Sequence, residues 1–408
     1  MDNLKRFLRS PGRIFPTLLS LLWPFWSCLS PDTYRPIAGS NAELVELLEK
    51  VRREYNQPAM GAAIIHNDRI VAEGVTGVTV LNETRPVTPD SRFHIGSTTK
   101  GMTALLIAIM VKKGELKYDS TLSDVLTDIP MRSEYARVTV RDLLLNRSGL
   151  LAFQNPIFED PVHMEKLRTE IPARYRDARS QRRAMAEYVL NLPPQYAPGS
   201  RSVYSNVGWS ILGLVAETVV GESYEDLMHD EVFTPLGMQS ARIGGWPADD
   251  GDRSQPRGHY AQTEGPRAQP LDDEYRLPLW MNPAGGVHCS IHEYALYARE
   301  NLLGLRGQGR LLAAGEYREI HSIQNKVKAS EMYLGQDNDS VINLGYGWAV
   351  LPGGDGLLSV ADGSGGTFYA RVIVFPWLRT AYVGFTNSGN GEPALSASIK
   401  ALTGLDWN

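Results

Sequence analysis

Ser97 and Lys100 set a hydroxyl and an amine three residues apart in Phe93-His94-Ile95-Gly96-Ser97-Thr98-Thr99-Lys100-Gly101-Met102-Thr103, where a long apolar run begins. A serine hydroxyl attacks a carbonyl only when a base takes its proton. Lysine can be that base if desolvation or a neighbouring cation lowers its pKa. The run Met102 to Val111, closed by Lys112-Lys113-Gly114, predicts a buried helix with basic residues and a glycine at its C-terminal end. Ser97 then falls in the first turn. Residues three apart share a helix face, so the amine can reach the serine oxygen, and nearby backbone N–H groups favour developing negative charge. A Ser-x-x-Lys is expected about once by chance in a chain of this size. Bare, it reads more readily as a capping serine beside a solvated lysine.

The second candidate group is Tyr204-x-Asn206, in Pro198-Gly-Ser-Arg-Ser-Val-Tyr-Ser-Asn-Val-Gly208. A tyrosine near a lysine can hold a lowered phenol pKa and shuttle protons to and from a leaving group, while an asparagine amide can orient the lysine or bind a substrate carbonyl. Each motif is weak alone. Both occur once, in this order, roughly a hundred residues apart.

The elements that must position these groups follow from patterning. Ala42 to Val51 has the apolar spacing of an amphipathic helix, and 61–66 with 69–73 around Asn67-Asp68 reads as a β-hairpin. From the Ser97 helix to about Leu334 the signals are mostly helices and long loops: 140–145, 184–190, 208–220, 224–232 and 291–303. Residues 247–277 are polar and predict a long surface loop near a cleft. Strands return at 344–350, 356–360, 368–374 and 380–385, followed by a closing helix near 394–401. Strands at both ends with helices between them imply an α+β fold: an antiparallel sheet built from both chain ends, flanked by helices, with a large mainly helical insertion. The expected division is 42–95 plus 340–408 for the sheet part and 96–339 for the helical part, together one catalytic domain.

The 408 residues, 43% hydrophobic and 21% charged, can bury a large core, and a net charge of −5 offers no general attraction to nucleic acid. Arg168, Arg174, Arg176, Arg179, Arg182 and Arg183 form a basic stretch, but Glu165, Glu170, Asp177 and Glu187 interleave with it, which reads as a solvated helix face. Lys5, Arg6, Arg9 and Arg13 precede an apolar run from Ile14 to Cys28, so residues 1–28 read as an export signal or membrane anchor and 29–41 as a linker. The expected location is outside the cytoplasm, with membrane attachment available through the N-terminus. With Cys28 removed, only Cys289 remains and no internal disulfide can form. His288 and His292 are four apart at a helix start, but no third ligand is evident, so no metal and no cofactor is expected.

With both motifs in place the chain resembles the serine β-lactamase and penicillin-recognising superfamily, in particular its class C β-lactamase-like branch of esterases, D-amino-acid peptidases and transesterases. The resemblance extends through Lys113-Gly-Glu-Leu-Lys-Tyr-Asp119, Val138 to Leu150, Phe233-Thr-Pro-Leu-Gly-Met238, Pro283-Ala-Gly-Gly286 and Thr386-Asn-Ser388. It implies a β-lactamase/transpeptidase-like fold in which Ser97 forms an acyl-enzyme with a small-molecule or peptide substrate. Lys100 and Tyr204 would pass the proton, and Asn206 would position the ligand or the lysine. A third motif, Lys- or His-x-Gly, aligns with Ala361-Asp362-Gly363, so the cation is missing. Backbone from this glycine-rich strand, Gly363-Ser364-Gly365, could still complete an oxyanion hole with the N–H of Ser97. Asp362 would repel an anion by ~1–4 kcal/mol at surface-like dielectric, and Arg371 could replace the cation only if its strand turns it inward. Esters or amides without an α-carboxylate are therefore the expected substrates. The alternatives are a catalytically impaired ligand-binding or assembly protein on this fold, and a true β-lactamase or D-alanyl-D-alanine carboxypeptidase.

Overall fold

A computed structural model describes residues 32–405 other than 250, 251, 253, 271, 272, 274 and 355. The N-terminal signal or anchor and most of the linker lie outside the described residues. Among those described, no helix is long and apolar enough to cross a membrane.

Both chain ends build one sheet. Strands β1 (Ala59–His66) and β2 (Arg69–Gly77) form the expected hairpin, and Asn67 and Asp68 at φ 48° and 69° supply the two left-handed residues of its turn. β3 (Asn325–Lys328), β4 (Val341–Leu344), β5 (Ala349–Gly353), β6 (Gly356–Ser364), β7 (Tyr369–Phe375) and β8 (Thr380–Thr386) complete an antiparallel sheet in the order β2-β1-β8-β7-β6-β5-β4-β3. β1 pairs with β8, with Met60 opposite Thr386 and His66 opposite Thr380, so the first and last strands close the architecture. On one face pack α1 (Asn41–Glu54), through Leu44 and Leu48, and a C-terminal helix, Glu392–Thr403, through Leu395 and Ile399. The opposite face carries the larger core, into which the catalytic-motif helix sinks.

Several sequence expectations shift for local reasons. The segment 344–350 is not one strand: β4 and β5 reverse through Gly347 at φ +78°, where a methyl group would lie 2.8 Å from the Lys100 carbonyl carbon. The glycine lets this turn press on the start of the motif helix. β3 joins the sheet from within the stretch expected to be helical. Residues 247–277 are not simply a surface loop. They include a two-stranded ribbon, His259–Tyr260 with Arg267–Ala268, whose buried His259 binds the Asn387 carbonyl and accepts from Leu81 N–H. His288 lies on the strand Val287–Cys289 rather than a helix. It turns to the Gly244 carbonyl while His292 binds Glu73, so helical i, i+4 spacing does not relate the two histidines.

The basic stretch is not a solvated face throughout. Arg182 on α2 (Ala178–Val189) is fully buried. It reaches Glu217 at 2.6 Å and Glu225 at 2.6 Å. Residues 178–189 show one face to the core, and Arg182 is on that face; sequence alternation of charges hid this because its acidic partners come from two other helices, Glu217 from Asn206–Val220 and Glu225 from Tyr224–Met228.

Candidate active site

Ser97 lies in a 3₁₀ turn, Gly96–Thr98, which feeds the motif helix Thr99–Lys113. Gly96 at φ +52° breaks regular helical geometry, so the serine precedes the helix rather than occupying its first turn. The turn is bolted down: Thr98 Oγ1 donates to the Ile95 carbonyl, Thr99 Oγ1 accepts from Val287 N–H and Thr103 Oγ1 donates to the Pro283 carbonyl. A left-handed Gly114 ends the helix, as its sequence predicts.

The structure brings the four predicted side chains together. Lys100 Nζ is 3.2 Å from Ser97 Oγ, 2.8 Å from Asn206 Oδ1 and 2.5 Å from the Ala284 carbonyl oxygen. The Tyr204 hydroxyl donates to Ser97 Oγ at 2.7 Å. Asn206 opens the helix Asn206–Val220, capped by Ser205, and its Nδ2 donates to the Phe153 carbonyl at 2.7 Å. That bond fixes the amide so that Oδ1 faces the lysine.

Lys100 is 3% exposed, and no carboxylate is among its partners, so burial drives its pKa well below the ordinary lysine value. A neutral amine has two N–H groups and one lone pair. Asn206 Oδ1 and the Ala284 carbonyl can only accept, so they take both N–H groups. The lone pair is left for the Ser97 hydroxyl, which is the arrangement a general base requires.

Tyr204 departs from expectation. Burial raises its phenol pKa instead of lowering it, outweighing the hydrogen bond to Ser97. The nearby lysine does not reverse this, because the same burial drives Lys100 toward its neutral form and removes the cation that would stabilise a phenolate. Tyr204 is therefore a phenol that donates to Ser97 and can hand its proton onward.

Strand β6 faces Ser97 as backbone. Ala361, Gly363 and Gly365 alternate onto the site face. A methyl on Gly363 would collide with the Ile95 carbonyl and lie 2.7 Å from Ser97 N, while one on Gly96 would lie 2.5 Å from Ser364 N. These close approaches place the β6 backbone beside the Ser97 N–H, where an oxyanion hole needs its donors. The Ser364 hydroxyl is occupied by the Phe368 carbonyl and Gly366 N–H. Gly365 packs against Trp246 and His94, and its carbonyl accepts from the Tyr275 hydroxyl at 3.1 Å.

The third-motif residues split across the sheet. Ala361 is on the site face and brings no charge, whereas Asp362 and its cross-strand neighbour Arg371 point to the opposite face. Arg371 Nε and Nη2 bind Asp362 at 2.6 and 2.9 Å, and Nη1 donates to Ser396. Two expectations fall with this geometry. Asp362 is neutralised and turned away, so it does not repel a substrate anion, and Arg371 is held on the wrong face to replace the missing cation.

Sequence reasoning assigned no role to the carbonyls of Ala284 and Phe153, which orient Lys100 and Asn206. A carbonyl has no residue-type signature. The nearest signal was the Pro283-Ala-Gly-Gly286 segment, which runs beside the Ser97 turn: a methyl group on Gly285 would lie 3.7 Å from the Gly96 carbonyl carbon.

The profile of the Beta-lactamase family matches residues 44–403. Penicillin-binding protein 4 of Amycolatopsis lactamdurans is 30% identical over 203 residues, 49% of this chain and 49% of that protein. The D-aminopeptidase of Brucella anthropi is 27% identical over 203 residues, covering 49% of this chain and 35% of the relative. The chain thus spans about half or less of the length of these curated relatives. The crystal structure of a penicillin-binding protein from Bacillus halodurans superposes with a TM-score of 0.68 at 20% identity, covering 87% of this chain and 99% of that one. The sheet from both chain ends and the match across 44–403 lead to one assignment: the chain belongs to the Beta-lactamase family.

Proposed function

We propose that the protein is a serine hydrolase working through an acyl-enzyme on Ser97, and that its substrates are esters or amides with no carboxylate next to the scissile bond. The observation that carries the first part is the buried Lys100, with acceptor-only partners for both N–H groups and its lone pair left for Ser97. Ser97 Oγ bonds to the substrate carbonyl carbon as its proton passes to Lys100 Nζ. The resulting oxyanion is held by the N–H groups of Ser97 and the β6 backbone at Ser364. Collapse breaks the bond to the leaving group, which takes the Tyr204 hydroxyl proton while Tyr204 regains the proton that Lys100 took from Ser97. Water then attacks the acyl-enzyme by the reverse route, releasing an acid and free Ser97.

The second part rests on Ala361, which stands on the site face where the resemblance places a cation. Intact-mass spectrometry after a fluorophosphonate is expected to show a single adduct, absent in Ser97→Ala; labelling that survives this substitution would disprove the nucleophile. A short-chain nitrophenyl ester is expected to be turned over faster than a chromogenic β-lactam. The opposite order would remove the claim about substrate.

A further inference from the structure

Ala361 lies within β6 and Gly365 just past its end at Ser364, so the two mark separate positions along the chain that faces Ser97. The cation missing at the Ala361 end has a counterpart nearer the other. The segment 161–174 runs as a helical turn, a π-helical turn at Lys166–Glu170 and a further helical turn, and Trp280 Nε1 ties it to the body through the Leu167 carbonyl at 2.8 Å. Single π-helical turns inside helices occur often at functional sites. At the centre of this one is Arg168.

Arg168 is half-buried and takes no ion pair among the described residues. Its guanidinium lies 5.9 Å from the centroid of the Phe153 ring. Phe153 is the residue whose carbonyl holds Asn206, and it sits at φ +50°, a left-handed conformation rare for a bulky side chain. The charge of Arg168 also acts on Tyr275, whose hydroxyl binds the Gly365 carbonyl. The neighbouring acids are committed elsewhere. Glu170 pairs with Lys166 at 2.7 Å, and the Glu159 carboxylate accepts the backbone N–H groups of Phe153, Gln154 and Asn155; the charge of Arg168 acts on Glu159, but the two form no direct ion pair. A half-buried arginine whose guanidinium no carboxylate binds directly, beside the aromatic ring of the residue whose carbonyl holds Asn206, has the form of a receptor for a planar anion.

We infer that Arg168 is a specificity-determining residue that binds a carboxylate carried several bonds from the scissile carbonyl, so that the preferred substrates are acyl compounds with a remote anionic end. This deepens the hydrolase reading and rests on it for the location of the scissile bond. The charge layout would admit a neutral group at the Ala361 end and an anionic one at the Arg168 end.

Binding separates the two claims because it needs no turnover. In full-length Ser97→Ala protein, the N-glutaryl 4-nitroanilide is expected to bind at least 5-fold more tightly than the N-pentanoyl 4-nitroanilide by calorimetry. Adding Arg168→Gln should abolish that preference with little change for the pentanoyl compound, whereas Arg168→Lys should keep part of it, and added salt should weaken only glutaryl binding. Equal affinities, or a preference that survives Arg168→Gln, would overturn the inference. A protein that binds the glutaryl compound through Arg168 but whose Ser97 accepts no fluorophosphonate would support it while refuting the hydrolase reading.

Discussion

Lys100→Met is expected to lower kcat/KM for a nitrophenyl ester by about 10²–10⁴-fold, the range associated with loss of a positioned general base. The substitution keeps an unbranched side chain, one atom shorter, but removes the amine whose lone pair is directed at the serine hydroxyl. Below the depressed pKa of Lys100 the amine is protonated and cannot take the Ser97 proton; above it the amine is neutral and can. The wild-type kcat/KM should therefore rise with pH through that pKa, and the rising limb should vanish from the residual activity of Lys100→Met. Tyr204 adds no alkaline loss below its ordinary value of 10.0, because burial moves its ionisation upward. Stability should carry the same sign: the unfolded lysine binds a proton that the folded one has lost, so between the two pKa values stability rises with pH. Steady-state kinetics on variant protein with an unchanged circular-dichroism spectrum checks the prediction. A loss below tenfold would mean that another group is the base.

The largest stability effect is expected at Arg182. Its guanidinium binds Glu217 through Nε and Nη2 at 3.2 and 2.6 Å and Glu225 through Nη1 and Nη2 at 2.9 and 2.6 Å. Glu217 is fully buried and also accepts the Tyr224 N–H. Arg182→Met leaves that carboxylate charged and unpaired in the core, a change expected to cost about 3–5 kcal/mol. Replacing Arg182, Glu217 and Glu225 together by apolar residues should cost less than the single substitution, because no charge is then stranded. Denaturant unfolding measures both. A single-variant loss under 1 kcal/mol would show that water reaches the carboxylate. The cluster also reaches the site, since Glu225 accepts from Asn282 Nδ2 at 2.7 Å and Asn282 opens the turn that presents the Ala284 carbonyl to Lys100.

The contrast between Lys100 and Arg182 shows where sequence reading succeeds. Ser97 and Lys100 are three residues apart, and one turn of backbone makes their meeting nearly unavoidable. Arg182 meets Glu217 across 35 residues, whereas the nearby Arg179 and Arg183 do face water. Local charge alternation consequently pointed to solvent. The β1–β2 hairpin and the helices at 140, 206 and 291 were legible because their turn residues, caps and apolar spacing are local. The break in 344–350 was not, since its β-rich residues promise a strand while Gly347 reverses the chain to meet the Lys100 backbone.

By itself the sequence determined the order of the motifs, the depth of the helix behind Ser97, the glycines that let β6 approach the nucleophile and the lack of a cation at Ala361. These depend on residue type and short spacing. Only the tertiary structure decided how each group is charged and which way it faces. Lys100 loses its proton because distant segments exclude water and offer it only acceptors; Tyr204 keeps its proton for the same reason. Arg371 is a structural partner of Asp362 because strand alternation turns both away from Ser97, and Arg168 lies over the Phe153 ring on a π-helical turn that Trp280 ties down. Desolvation and orientation are properties of what folding assembles around a residue, which no local pattern specifies.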